Sequence, residues 1–191
     1  MKMSSRILVF SMMAAAFLMI SASSIIAQEN FSGKWAFNES KSTIGQAPAV
    51  GQAQAQAQRQ GGQGQGQMRL GGMMRASELN ITQQGNSLTV ERTRQGRDGQ
   101  SAVTTEKYDL TGKISENAMM NNTRKSIVSW SSDKKVMTIK TTTTMNFQGE
   151  TRDINTQEIW KMSEGGKVLL IETINTTPNG EMKNTLAYDK K

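Results

Sequence analysis

The residue types available for chemistry in this chain are carboxylates, lysine, arginine, serine, threonine and tyrosine. The 191-residue sequence contains no histidine and no cysteine. Without them the chain cannot supply a histidine general base, a cysteine nucleophile, a Ser-His-Asp triad, a histidine haem ligand or an ordinary zinc site. We therefore expect no catalytic residues, no cofactor and no metal site, and a protein that is not an enzyme.

Two weak patterns point towards catalysis and do not change that expectation. Ser131-Ser132-Asp133-Lys134 contains Ser-x-x-Lys, but in penicillin-recognising enzymes that serine opens a helix, whereas here it lies in a predicted hairpin turn. Glu158 and Glu172 fall on adjacent predicted strands, and a pair of carboxylates can act in acid–base chemistry. An exposed strand face explains both glutamates more simply.

Polar residues that share a strand face with apolar residues are the candidates for a binding site. Arg92 follows Leu88 and Val90 at alternate positions. Polar groups of this kind inside an apolar barrel cavity are typical of a ligand site. The candidate ligand-binding residues are Arg92, Trp130, Glu158, Trp160, Asn184 and Tyr188. Two alternatives stay open: the polar residues lie at strand ends near solvent, or the register is off by one residue, which reverses every side chain. The aromatic residues are also candidates for the core.

The elements that must position these residues are strands. Residues 77–191 alternate between apolar and polar types and contain turn signals such as Asp98-Gly99 and Pro178-Asn179-Gly180. With Trp35–Asn38 as the first strand, the pattern predicts about nine strands, and a short turn near Glu116–Asn121. A meander of that size removes its edges only by closing. The predicted fold is an all-β, antiparallel up-and-down barrel of about eight or nine strands.

The first 27 residues are typical of a cleavable secretory signal peptide. A basic start at Met1–Arg6 precedes an uncharged apolar run, Ile7–Ile20, and the small residue Ala27 stands before the expected cut. The run is shorter than the roughly 20 residues that span a bilayer, so an uncleaved anchor is the less favoured alternative. We expect export to the periplasm or the outside of a bacterial cell, with no membrane span after cleavage.

Three further segments follow the signal peptide. Residues 28–40 hold the first strand, residues 41–76 form a Gln/Gly-rich tract, and residues 77–191 supply the rest of the barrel. The tract includes AQAQAQAQRQ and GGQGQGQMRLGG. It has too little apolar surface to offset its ordering entropy, so we expect a long disordered loop. An assembly or interaction element is the alternative.

The charge pattern does not indicate nucleic acid as a partner. The formal net charge is +7, of which Lys2 and Arg6 lie in the signal peptide. The remaining basic residues are scattered, and the aromatic residues that could stack on bases are few. A modest positive charge of this kind serves general solubility.

The first predicted strand resembles the Gly-x-Trp opening strand of the lipocalins and the wider calycin group. Gly33, Trp35, Asn38, Lys41 and Ser42 fit the G-x-W-x-x-N-x-x-K-S start of small exported bacterial proteins of lipocalin-like type. The ending at 180–190, GEMKNTLAYDK, is similar to theirs. This resemblance implies a barrel without a particular ligand. In lipocalins a basic residue near the last strands packs on the tryptophan, and the residues here are Lys183, Lys190 and Lys191.

Taken together, the residues predict an exported, lipocalin-like β-barrel that binds a small, partly apolar molecule. The alternative is a non-enzymatic structural or interaction protein of the cell envelope, acting through its surface and the Gln/Gly-rich loop. An enzyme that uses carboxylates or lysine is the weakest hypothesis. The first two differ in whether the barrel is hollow, and the sequence carries no indication of oligomeric state.

Overall fold

The computed structural model describes residues 27–46, 75–96, 99–119, 122–147, 150–177 and 180–191. The predicted signal peptide up to residue 26 lies outside the described residues. So do residues 47–74 of the predicted loop, and the predicted turn residues Arg97-Asp98 and Pro178-Asn179.

Ten strands follow one another along the described residues. They are β1 (Gly33–Gln46), β2 (Glu78–Gln84), β3 (Ser87–Gln95), β4 (Ser101–Asp109), β5 (Ser115–Met119), β6 (Asn122–Trp130), β7 (Val136–Phe147), β8 (Glu150–Ser163), β9 (Val168–Thr177) and β10 (Gly180–Lys190). All pairings are antiparallel, and the order is β4-β3-β2-β1-β10-β9-β8-β7-β6-β5. The predicted all-β, up-and-down barrel is confirmed. No helix in this part of the chain is long and apolar enough to cross a membrane.

Two elements differ from the sequence-based expectation. Residues 115–119, placed by the sequence in a short turn near Glu116–Asn121, form β5 and pair with β6 from Ser115↔Ser126 to Met119↔Asn122. Their composition, SENAM, has no β-branched residue, so the pairing and not local propensity makes the strand. The first strand also continues to Gln46, beyond the predicted start of the loop at residue 41.

The extension of β1 contains a β-bulge. It is formed by Asn38, Lys41 and Ser42, the second part of the G-x-W-x-x-N-x-x-K-S opening pattern. The register against β10 shifts between Asn38 and Thr43. The Asn38 Oδ1 atom accepts a hydrogen bond from the backbone N–H of Lys41 at 3.1 Å, and the Ser42 hydroxyl donates to the Asn38 carbonyl. The Ser42 hydroxyl also accepts from the backbone N–H of Ala187, so it bridges the two strands where the ladder is interrupted.

The first part of that opening pairs with the end of the chain. Trp35 is fully buried and lies opposite Lys190, whose Nζ atom is 5.4 Å from the centroid of the Trp35 ring. Of the lysines that the lipocalin resemblance offered for this contact, Lys190 is the one that makes it. Gly33 has a φ of +142°, and a Cβ atom there would lie 3.3 Å from the Lys190 side chain. The glycine therefore permits both the backbone conformation and the close approach of the lysine.

Apolar side chains fill one half of the barrel, which we term the packed half. It contains Phe31, Trp35, Leu79, Ile81, Leu88, Val90, Met137, Ile139, Trp160, Leu169, Ile171 and Tyr188. Phe31 lies just before β1 and contacts two rings, stacking on Trp130 with centroids 6.0 Å apart and meeting Trp160 edge-on at 5.8 Å. The other half, which we term the open half, lies beyond Arg92 and Glu158. Its inward-facing positions include Arg94, Thr104, Thr143, Met145, Ile154 and Met182.

The barrel is nearly closed at the junction of β4 and β5. The described residues show no backbone ladder between these two strands, which lie at the two ends of the sheet order. Side chains bridge them instead. The Asn117 amide accepts from the backbone N–H of Lys107 at 2.7 Å and donates to the carbonyl of the same residue at 3.0 Å. The Ser115 hydroxyl accepts from the backbone N–H of Asp109 at 2.7 Å. We call this junction the seam.

Candidate functional site

Alternation along β3 carries an arginine into the interior of the barrel. Leu88, Val90 and Arg92 are buried on one face, and Arg92 is only 7% exposed. For this residue, the alternatives of a solvent-exposed strand end and of a register error are both wrong. The guanidinium reaches across the barrel to β8, where its Nη2 atom lies 2.8 Å from the Glu158 Oε2 atom.

A second buried carboxylate, Glu106 of β4, binds three donors. Arg92 Nε lies 2.8 Å from Glu106 Oε2, and the Tyr108 hydroxyl donates to the same oxygen at 3.0 Å. Arg124 of β6 donates to the other oxygen across the seam. We call Arg92, Glu106, Arg124 and Glu158 the interior ion network. Charge-assisted hydrogen bonds between buried partners are the strong class of such bonds, so the network holds four strands in one arrangement.

Trp160 joins the interior ion network to the packed half. Its indole N–H donates to Glu158 Oε2 at 2.9 Å, while its ring is fully buried in the core. The Arg92 guanidinium carbon lies 5.7 Å from the centroid of the same ring. The network is therefore the layer at which the apolar filling of the barrel ends.

The protonation states in the network are set by the competition between burial and charge. Burial alone would raise the pKa of Glu106, but the charges of Arg92 and Arg124 outweigh it and lower that pKa. Burial would lower the pKa of Arg92, and Glu158 and Glu106 raise it well above its usual range. Burial raises the pKa of Tyr188 to about 12, against the opposing effect of Arg92. Arg92 and Glu106 are thus both held in their charged forms.

Arg94 is the next inward-facing residue of β3 and differs from Arg92 in its partners. It is half-buried and donates to the Thr104 hydroxyl at 2.9 Å. Within the described part of the chain, no carboxylate lies within 4 Å of its guanidinium. Burial, and then the like charge of Arg92, lower the pKa of Arg94. The ion network and Arg94 together therefore contain three guanidinium groups and two carboxylates.

Beyond the network, hydroxyl groups and partly exposed apolar side chains line the interior. Ser126 and Thr141 are buried and share a hydrogen bond of 2.8 Å between their hydroxyls, and Thr143 is buried beside them. Ile154 and Met182 lie on the same strand faces as Glu158 and Tyr188, yet they are 40% and 42% exposed. The described side chains of the open half therefore do not pack into a closed core.

The structure brings together three of the six candidate ligand-binding residues. Arg92 and Glu158 are partners in the interior ion network, and Trp160 contacts both. Tyr188 lies in the packed half, edge-on to the Phe37 ring at 5.7 Å, and close enough to Arg92 to feel its charge. Their roles in ligand binding remain predictions.

The other two candidates make their hydrogen bonds or ring contacts with residues outside the ion network, although Asn184 shares the inward face of β10 with Met182. Trp130 is in the packed half, stacked on Phe31, and its indole N–H is buried with no hydrogen-bond partner among the described residues. Asn184 is half-buried on β10, where its Oδ1 atom accepts from the backbone N–H of Gly45 at 2.8 Å. Each therefore has a structural contact away from the ion network.

The suggested carboxylate pair is not formed. Glu158 lies opposite Thr173 and Glu172 lies opposite Ile159, so the two glutamates project from opposite faces of the sheet. Adjacent strands place consecutive residues on alternate sides, and these two differ by one position in the ladder. The structure therefore leaves Glu158 inside the barrel and Glu172 outside it.

Sequence reasoning missed Glu106, Tyr108, Arg94 and Arg124. The reason is visible on β4, where the one large exposed apolar residue, Val103, stands on the opposite face from Glu106 and Tyr108. Val103 faces outward and is 61% exposed, so the inward face of β4 is the more polar one, with Glu106 and Tyr108 buried on it. The alternation of Glu106 with Tyr108 and Leu110 was the available signal.

A shallow cleft of about 280 Å³ lies along the seam, and Tyr108, which donates to Glu106, forms part of its lining. Its lining includes Asn86 of the β2–β3 turn, Lys107 of β4 and Ser115 of β5. In the ranges that the structure covers, no group of three or more acidic side chains is placed to hold a metal ion. The interior ion network and the open half above it remain the candidate site.

Comparison with known proteins shows a likeness to solved structures. No family model matches the sequence, and no curated protein matches it. Among solved structures, the chain is similar to the crystal structure of zebrafish ileal bile acid-binding protein in complex with cholic acid. The TM-score is 0.45 and the sequence identity 17%, with 84% of this chain and 98% of that chain covered.

Proposed function

We propose that this chain is an exported barrel that binds a small, partly apolar molecule inside its open half. The observation that carries the proposal is the exposure of Ile154 and Met182. Both face the interior of the barrel, where a large apolar side chain is ordinarily buried, yet about two-fifths of each is accessible. An accessible apolar lining inside a barrel is suited to the apolar part of a small molecule.

The polar part of such a molecule would meet the layer below. The interior ion network, the half-buried Arg94 and the hydroxyls of Ser126 and Thr141 supply fixed donors and acceptors at the base of the open half. A few convergent polar groups beside an apolar wall are features of small-molecule sites. The expected orientation places the polar end of the ligand towards Arg94 and its apolar end towards Ile154.

The test compares two isoleucines of similar exposure. Ile154→Gln should weaken binding of the neutral fluorescent probe phenylnaphthylamine by about five- to tenfold, because it removes apolar contact area worth on the order of 1 kcal/mol. Ile127→Gln is the matched control: Ile127 is 46% exposed but faces outward from β6, between the buried Ser126 and Val128. Fluorescence titration measures both dissociation constants.

Two results would overturn the proposal. If the wild-type protein does not bind the probe, or if both variants lose affinity to the same extent, the open half is not the binding site. Circular dichroism of the three proteins should show that each remains folded, which separates loss of binding from loss of structure.

Export belongs to the proposal, and the contacts of the described residues just after Ala27 are compatible with cleavage there. Glu29 donates its backbone N–H to the Lys134 carbonyl, and Phe31 inserts its ring into the core. A cut after Ala27 leaves both residues in place. Intact mass and N-terminal sequencing of the protein recovered from a periplasmic fraction should show a chain that begins at Gln28. A periplasmic chain that still carries residues 1–27 would contradict the predicted cleavage.

A further inference from the structure

The charges of the interior ion network and Arg94, taken together, do not balance. Glu106 already accepts from Arg92, Arg124 and Tyr108, and Glu158 accepts from Arg92 and Trp160. Two carboxylates thus serve two guanidinium groups. Arg94 adds a third positive charge on the same face of β3, at the border between the network and the open half.

Among the described residues, Arg94 has few partners for its positive charge. Its guanidinium donates a hydrogen bond to the neutral Thr104 hydroxyl, and the charged groups that act on it are Arg92, Glu106, Arg124 and Glu158 of the interior ion network. Burial, and then the charges of Arg92 and Arg124, make the charged form of Arg94 less favourable; together they outweigh the opposing charges of Glu106 and Glu158 and lower its pKa. A half-buried cation held among like charges is a cost to the folded barrel unless an anion joins it.

We propose that the molecule bound in the open half is an amphipathic anion, and that Arg94 binds its charged group. The inference rests on the proposed function and names its ligand class. A guanidinium matches a carboxylate or a sulfonate with two parallel hydrogen bonds. The apolar remainder of the ligand then extends towards Ile154 and Met182.

This arrangement gives Arg94 opposite effects on stability and on affinity. Arg94→Gln removes a like charge from beside Arg92, so the ligand-free variant should unfold at the same temperature as the wild type or a higher one. The same substitution removes the group that recognises the anion. Substitution of a residue with a purely structural role would not raise the stability of the barrel and lower its ligand affinity together.

The experiment titrates two related probes, the anionic anilinonaphthalene sulfonate and the neutral phenylnaphthylamine. Arg94→Gln should weaken sulfonate binding by about tenfold, the change expected for loss of a charge-assisted hydrogen bond, and should leave the neutral probe within about twofold. Arg94→Lys keeps the positive charge but lacks the planar guanidinium that donates two parallel hydrogen bonds. It should retain affinity for the sulfonate to within about threefold. Lys140→Gln is the matched charge control, because Lys140 is exposed on the outer face of β7.

The outcomes separate the inference from the proposed function. Equal sulfonate affinity in the wild type and in Arg94→Gln overturns the role of Arg94, and if the neutral probe still binds, the binding function itself stands. Loss of sulfonate affinity in Lys140→Gln to the same extent as in Arg94→Gln shows a general charge effect and also overturns the inference. Absence of binding of both probes to the wild type overturns the proposed function and the inference together.

Discussion

Replacing Arg92 with methionine is expected to lower the free energy of unfolding by about 3–5 kcal/mol, because removing one member of a buried ion network leaves its partners uncompensated. Glu106 would keep Arg124 and Tyr108 as partners, whereas Glu158 would keep only the Trp160 indole among its described contacts. Methionine has nearly the length of the arginine stem, so the loss reports charge rather than volume. Urea unfolding followed by far-ultraviolet circular dichroism measures the change.

Arg94→Gln provides the control for this substitution. Arg94 stands two residues further along β3 on the same inward face, but it has no carboxylate partner within 4 Å among the described residues. Its removal should leave stability unchanged or increase it. A loss below about 1 kcal/mol for Arg92→Met would contradict the buried network, since that is the range of exposed ion pairs.

The dependence of stability on pH gives the Arg92 substitution a second readout. In the folded barrel the pKa of Glu106 is lowered from its ordinary value of 4.5. A carboxylate of this kind contributes stability above its unfolded pKa and loses that contribution as the pH falls through its folded pKa. Acid should therefore destabilise the wild type more steeply than Arg92→Met. Asp109, Asp133 and Asp189, whose pKa values are also lowered by local hydrogen bonds, are common to both proteins and cancel in the comparison.

Local alternation was sufficient to predict the barrel and part of the site. Arg92 follows Leu88 and Val90 on β3, and Glu158 precedes Trp160 on β8, so each charged residue could be assigned to an inward face from its own strand. The period of two residues is a property of the strand alone, and it does not depend on which strands are neighbours. The short turns between successive strands, in turn, predicted an antiparallel up-and-down meander.

Contacts across the interior could not be predicted in the same way. Arg124 reaches Glu106 over the seam, where the described strands share no backbone ladder, and Arg92 reaches Glu158 across the width of the barrel. These distances depend on the curvature of the whole sheet and on where it closes. β5 shows the same limit, because its residues adopt a strand only through pairing with β6.

The second large effect is expected in the packed half. Trp35→Ala should lower the free energy of unfolding by about 3–5 kcal/mol, the range for deleting a buried aromatic side chain. Trp35 is completely buried, and its indole N–H donates to the Phe31 carbonyl at 3.0 Å, so the substitution leaves both a cavity and an unpaired carbonyl. Thermal and urea unfolding followed by circular dichroism measures the loss without depending on tryptophan fluorescence.

Two further variants separate the contributions of the Gly-x-Trp opening. Trp35→Phe keeps most of the ring volume but removes the indole N–H, and should cost less than the alanine variant. Lys190→Ala removes the cation above the ring and should cost least, because Lys190 is exposed and an exposed cation–π contact contributes about 0.5–1 kcal/mol. If Lys190→Ala were as damaging as Trp35→Ala, the lysine would be essential to the closure between β1 and β10. The expected order instead assigns the main role of this opening to filling the core, with the lysine covering the ring from solvent.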